Sequence, residues 1–244
     1  MASTALDAGV VLAAAGDGKR YGARKQFLEL AGKPIIHYSL DVFAEIGEVA
    51  EIVLVLPPDD LTEGRELLAK WREGRRQASL AGSRRGRGLC LEVVGGGPRR
   101  QDSVLAGIEA FTSGVEVALV HDVARPLVAV DDVRKVLEAA RARGAAVVGN
   151  PCHDSVKRVR GELIVEELPR DEVWTVQTPQ AARVSFLRDA YRSASDREWT
   201  DEASALRHLG VAVMVVEGSR ENIKITRPGD EAMAEMILRS RGKG

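Results

Sequence analysis

The sequence has little that could staple, span or anchor a chain. Its 244 residues include two cysteines, Cys90 and Cys152. They form no CxxC and have no neighbouring ligand pair. Neither a disulfide framework nor a structural zinc site is expected, and a reducing cytoplasm is the expected compartment. No apolar run approaches the ~20 residues that cross a bilayer. The opening "MASTALDAG" lacks both the basic start and the apolar core of a secretory signal. An excess of charge of either sign is missing too. The formal net charge is −1, so no overall field draws in nucleic acid or an anionic membrane.

What is present is a length that can bury a core, with 45% hydrophobic and 29% charged residues. Short apolar runs alternate with amphipathic ones. Strands are expected over 9–16, 51–57, 89–94, 117–122 and 145–149. Helices are expected over 34–46, 61–71, 102–111 and 131–144. Pro34 suits a first helical turn, Asp102 and Asp131 read as N-caps, and Gly144 reads as a C-cap. The strands are apolar throughout, not at every second residue. That pattern implies a mostly parallel sheet with helices on both faces, in a single domain over 1–244.

Two regions break this rhythm. "KWREGRRQASLAGSRRGRG" (70–88) holds seven basic residues and one acid. It reads as a solvated loop; a polyanion contact is the other reading, which the net charge does not support. The stretch 151–176 lacks a helical period and reads as a β-rich excursion, of a kind that can embrace a partner chain.

The first strand opens into "GDGKRYGARK". Its spacing is G-x-G-x-x-x-G, one residue too long for the dinucleotide fingerprint, and no Ser or Thr follows Gly18-Lys19 as a Walker loop requires. Gly16 and Gly18 would let backbone N–H groups approach an anion, with Arg20 and Lys25 supplying full charges. A strand-to-helix turn with solvated basic residues is the plainer alternative. No Ser/His/Asp or Cys/His constellation is evident, and His121 reads as a packed strand residue.

Seven stretches carry a resemblance: "LAAAGDGKRYGARKQFLELAGKP", "RRQDSVLAGI", "VHDVARP", "DSVKRV", "QTPQ", "TDEASAL" and "ENIKITRPGD". The opening one resembles sugar-phosphate nucleotidyltransferases of Rossmann-like fold. The set as a whole resembles the 2-C-methyl-D-erythritol 4-phosphate cytidylyltransferase family and covers nearly the whole chain. The resemblance implies CMP transfer from CTP to that polyol phosphate, with release of pyrophosphate, in non-mevalonate isoprenoid synthesis. The acceptor's own phosphate would attack in line, so positioning and charge would carry the catalysis. A ribitol 5-phosphate or other polyol phosphate cytidylyltransferase would share the loop and the "VHD" strand end.

The resemblance also implies roles for residues. Arg20 and Lys25 would stabilise the transition state; Arg170 and Lys224 would orient the attacking phosphate. Ala14, Ala15, Gly16, Gly18, Gly96, Ser103 and Asp122 would bind the nucleotide. Asp122, Arg125, Ser155, Thr178 and Thr200 would face the acceptor. Asp122 could take Mg²⁺ or another divalent cation, or instead cap the following turn. Thr200 opens a run that could simply cap a helix, and Lys224 could simply be an exposed lysine. The 151–176 excursion would be a dimerisation arm, giving a homodimer with shared sites. Three departures stand out: Val123 for the usual Ala, Ser155 for the usual Thr, and Gly97-Pro98 where an acid commonly follows the glycines.

Overall fold

The computed structural model describes residues 7–16, 24–80, 89–112, 114–193 and 196–242. The chain forms, in order, β1 (Ala8–Ala13), β2 (Glu29–Leu30), β3 (Lys33–Pro34), α1 (Ile35–Phe43), β4 (Val49–Leu56) and α2 (Leu61–Leu80). Next come β5 (Cys90–Gly95), α3 (Arg100–Glu109), β6 (Val117–Asp122), α4 (Val130–Arg143) and β7 (Ala145–Pro151). The last part holds β8 (Val156–Arg160), β9 (Leu163–Leu168), β10 (Trp174–Arg183), α5 (Val184–Ser193), α6 (Glu202–His208), β11 (Met214–Glu217) and α7 (Asp230–Arg241).

Seven strands make one sheet in the order β11-β7-β10-β6-β1-β4-β5. All neighbours are parallel except β10, which runs antiparallel to both β6 and β7. Alternation sends Val10 and Leu12 of β1 to one face and Val11 to the other. The first face packs on Phe43 of α1 and Val133, Val136 and Leu137 of α4. The second packs on Val104 and Ile108 of α3, Leu187 of α5 and Leu206 of α6. Each fully buried aliphatic side chain contributes about 1.5–3 kcal/mol. Two covered faces are why these strands read as continuous apolar runs. The mostly parallel, doubly covered sheet agrees with the sequence pattern.

Several local expectations are corrected. Pro34 precedes α1 as its N-cap residue and does not sit in the first turn. Asp102 is the third residue of α3, not its cap; its carboxylate accepts from the Arg99 N–H at 3.2 Å. Asp131 likewise lies inside α4, which Ala129 precedes. Gly144 does close α4, at φ +93°, a left-handed conformation that costs glycine little. The basic stretch expected as a loop is helical through Leu80, while 81–88 lie outside the described residues. Its rungs are held by Arg75, stacked 5.3 Å from the Trp71 ring, and by Gln77 donating to Glu73 at 2.9 Å. The piece "VWTVQ" starts β10, an interior strand of the main sheet, and does not belong to an excursion. What remains of 151–176 includes a separate antiparallel pair, β8–β9.

Because β1, β4, β5 and β6 are parallel, their carboxyl ends share one edge. Ala13 stands opposite both Val55 and Asp122, and Leu56 opposite Gly95. In open α/β sheets that edge is where ligands bind.

Candidate active site

Two backbone loops form a shelf at this edge. After β1, Ala14 donates to the Val55 carbonyl at 2.9 Å; after β5, Gly96 donates to the Leu56 carbonyl at 2.7 Å. The loops meet so closely that a Cβ on Gly96 would stand 2.5 Å from the Ala15 Cβ and 2.6 Å from Ser103 Oγ. Glycine there is a steric requirement. Ser103, on α3, accepts from the Gly97 N–H at 3.1 Å and so fixes the shelf. Ala14, Ala15, Gly96 and Ser103 are therefore brought together, with exposed Gly16 at the open end.

Beside the shelf lies a chain of alternating charge. Asp122, the last residue of β6, accepts from Arg100 Nη2 at 3.1 Å and from Lys224 Nζ at 2.5 Å, on different carboxylate oxygens. Arg100 also forks onto Glu202, at 2.6 and 3.1 Å. Glu202 is 1% exposed and accepts from Tyr191 OH at 2.9 Å. Burial would push the Asp122 carboxyl up, but the Arg100 and Lys224 charges win and hold it well below the carboxylate range. Burial would likewise lower Arg100, yet Glu202 and Asp122 raise it further. Burial, followed by the Glu202 charge, pushes Tyr191 well up.

His121 and Thr178 support Asp122 from beneath. Thr178 Oγ1 accepts from the Asp122 N–H at 3.1 Å, so its own proton turns to His121 Nδ1, also 3.1 Å away. His121 must then carry its proton on Nε2, which donates to the Arg125 carbonyl at 3.1 Å. Burial lowers this imidazole to about 4, so it is neutral. Arg125 donates from Nη1 to the Asn222 carbonyl at 2.9 Å, and burial lowers its pKa. Asn222 in turn donates to the Gln177 side chain and the Thr178 carbonyl. That network ties the loop bearing Lys224 to β10.

Lys25 lies in a short 3₁₀ turn, Lys25–Phe27. Its neighbours Arg24 and Gln26 both grip Asp60, at 2.5 and 2.9 Å. With both flanks clamped, Lys25 reaches the Ile225 carbonyl at 3.3 Å, one residue from Lys224. Arg24, one of the positive charges crowding the sequence, thus serves structure. Arg20 and Gly18 lie outside the described residues. Ser155 and Arg170 are exposed and flank the β8–β9 pair. Arg170 bonds the His153 carbonyl at 3.3 Å and lies 3.8 Å from Asp171. Thr200 is exposed beside α6, its hydroxyl 3.3 Å from Ser204 Oγ, and Asp201 provides the N-cap.

The sequence profile described as 2-C-methyl-D-erythritol 4-phosphate cytidylyltransferase matches residues 8–240. The chain belongs to that family. A relative of that name from Halalkalibacterium halodurans is 38% identical over 237 residues, 96% of this chain and 97% of the relative. The crystal structure of the Thermus thermophilus cytidylyltransferase is 33% identical, with a TM-score of 0.73, over 95% of this chain and 98% of that one. The 4-diphosphocytidyl-2C-methyl-D-erythritol synthase of Anaerococcus prevotii is 26% identical, with a TM-score of 0.79, over 97% and 100%. The shelf and charge chain are thus features of a cytidylyltransferase-family fold.

Arg100, Glu202 and Tyr191 escaped the reading of the sequence. Glu202 passed for a first-turn acid. A signal for Arg100 existed: two consecutive arginines open a helix, where the backbone dipole favours acids. Arg99 is answered locally by Asp102, at 2.6 Å. Among the described residues, Arg100 is answered by Asp122 and Glu202, 22 and 102 positions away.

Proposed function

We propose that the protein transfers CMP from CTP to 2-C-methyl-D-erythritol 4-phosphate, giving 4-diphosphocytidyl-2-C-methyl-D-erythritol and pyrophosphate, in non-mevalonate isoprenoid precursor synthesis. Family membership supports the reaction. The observation that carries it to this site is the Asp122 carboxylate gripped by Lys224 and Arg100 beside the Gly96–Ser103 shelf. An oxygen of the acceptor's phosphate forms a bond to the α-phosphorus of CTP. The bond to the β-phosphate bridge breaks, and pyrophosphate leaves with the electron pair. No protein nucleophile is needed.

The residues bind, orient and neutralise. The shelf of Ala14, Ala15, Gly16 and Gly96 lies against the base, with Ser103 holding it. Lys25, with Arg20 and Gly18 earlier in the sequence, meets charge developing on the α-phosphate; a donor of this kind is typically worth about 10²–10³ in rate. Lys224 orients the attacking phosphate. Asp122 takes a ribose or polyol hydroxyl, and Arg125, Thr178 and Thr200 shape the acceptor side. Ser155 and Arg170 complete the site from the arm of a second copy, which makes the active form a homodimer.

Among the described residues no cluster of three or more His, Cys, Asp or Glu could cage a metal. A lone carboxylate fits Mg²⁺ carried mainly by the triphosphate, since Mg²⁺ commonly takes one carboxylate plus substrate phosphates. Asp122 would offer Oδ2 once Lys224 has left it, and the ion would offset phosphate charge. No helix among the described residues is long and apolar enough to cross a membrane. The proposed location is the cytoplasm, without nucleic-acid or membrane partners.

The test is pyrophosphate release from CTP and Mg²⁺ with each acceptor in competition. Methylerythritol phosphate should be consumed well ahead of ribitol 5-phosphate. Folded protein that turns over neither, or prefers ribitol 5-phosphate, refutes the assignment.

A further inference from the structure

Lys224 faces two demands. In this structure it is held by Asp122, yet the reaction needs its ammonium on the acceptor's phosphate. If Lys224 were the only counter-charge of Asp122, leaving would strand a carboxylate that is 13% exposed. An uncompensated buried charge is costly, and the lysine would stay locked.

Arg100 removes that obstacle. It holds Asp122 Oδ1, while Lys224 holds Oδ2. Its other edge is forked onto Glu202, whose position is fixed from several sides. Tyr191 donates to Glu202 Oε1 at 2.9 Å. The next backbone N–H, that of Ala203, donates to Gln180 Oε1 at 2.9 Å, and Asp201 caps the same turn. Glu202, Arg100, Asp122 and Lys224 alternate in sign. When Lys224 departs, Asp122 keeps a partner that is itself neutralised and cannot follow. Lys224 is also the most exposed of the four, at 35%, on a segment without regular secondary structure.

We propose that Arg100, anchored by Glu202 and Tyr191, is a positioning residue: it serves as the permanent counter-charge of Asp122 and thereby frees Lys224 to pass to an incoming phosphate. The inference rests on the proposed reaction for its kinetic consequence, but not for its binding consequence.

The experiment uses the full chain carrying Arg100→Gln and Glu202→Gln together, which removes one charge of each sign and keeps hydrogen-bonding groups. The KM for the acceptor should rise at least about tenfold, and the KM for CTP should stay within about threefold. Binding of inorganic phosphate, followed by ³¹P NMR, should weaken in step. Adding Asp122→Asn should restore phosphate binding, because nothing then holds Lys224; a merely structural role for Arg100 predicts no such rescue. Unchanged acceptor and phosphate binding in folded protein overturns the proposal, as does an equal loss for CTP and acceptor or a failed rescue. Should the double variant not fold, Arg100→Lys carries the same expectations, since a shorter side chain with three N–H donors cannot reproduce the four bonds that Arg100 makes to Asp122 and Glu202. If wild-type protein releases no pyrophosphate, the assigned reaction fails while the phosphate titration still decides this point.

Discussion

The carboxyl edge of the main sheet and the β8–β9 pair differ in almost every physical respect. At the sheet edge, Asp122, His121, Thr178 and Glu202 are largely or fully buried and all have named partners. On β8–β9 the polar groups make exposed cross-strand pairs, such as Arg158–Glu166 at 2.7 Å, while apolar side chains face outward. Leu163 is 73% exposed and Ile164 67%. Exposed ion pairs contribute little, typically below about 1 kcal/mol. One region is preorganised for charge; the other holds apolar surface that only a further contact could cover. A site drawing on both would be rigid where the nucleotide binds and completed by association.

The comparison is tested most strongly at the rigid end. Lys224→Ala should lower kcat/KM by about 10²–10³ while leaving the unfolding midpoint near that of the wild type, since the lysine is half-exposed and its loss leaves Asp122 on Arg100. A loss below tenfold would remove Lys224 from the chemistry.

The next effect is on stability. His121 is buried and neutral, lowered by burial to about 4, whereas in the unfolded chain it titrates near 6.5. Between these values the unfolded state binds the extra proton, so apo-protein stability should fall as pH drops from 6.5 towards 4, by up to about 3 kcal/mol. His37, also lowered by burial, adds in the same sense. Asp122 works in a lower window: its depressed carboxyl stabilises the fold above the unfolded value of 3.8, and that stability is lost as pH falls below it. Urea titrations of the wild type and His121→Gln should diverge across pH 6.5–4. Parallel curves would mean that the imidazole is not held neutral.

Gly96→Ala sharpens the shelf. The added methyl meets Ala15 and Ser103, so overpacking should cost about 1–3 kcal/mol and raise the KM for CTP more than that for the acceptor. At the flexible end, Ile164→Glu should leave the unfolding free energy of a protomer within about 0.5 kcal/mol, because the side chain is exposed there. It should nevertheless convert a dimer to a monomer in light scattering, since burying a carboxylate in an apolar contact is costly. A monomeric wild type would end the argument for an arm.

Much of the edge was legible in the chain. β1, β4, β6 and β7 announce themselves as apolar runs because both sheet faces are covered; β5 is a half-exposed edge strand that still reads as apolar, and Asp122 stands at the end of β6. Lys25 was legible as a charge beside the glycine loop, but its place at the reacting phosphate, and any role for Lys224, came only through the resemblance. β10 was not read as a main-sheet strand: "WTVQTPQAAR" mixes polar residues with Pro179, and its burial comes from lying between β6 and β7, which no local pattern records. The Arg100–Glu202 pair spans 102 positions and depends on α3 meeting α6. The helical course of 70–80 was missed for the opposite reason. It has little apolar periodicity, and helix-favouring side chains on a half-exposed surface suffice.

The idea that the rigid edge is finished by the arm of a second copy is tested most directly by mixing subunits. Arg170→Ala and Lys224→Ala proteins, each nearly inactive alone, are unfolded together and refolded at equal ratio. If sites are shared across a dimer, half the dimers are mixed and each has one intact site, so about a quarter of wild-type activity should return. Activity that stays at the level of the two separate variants would contradict shared sites and place Arg170 and Lys224 in the same protomer's site.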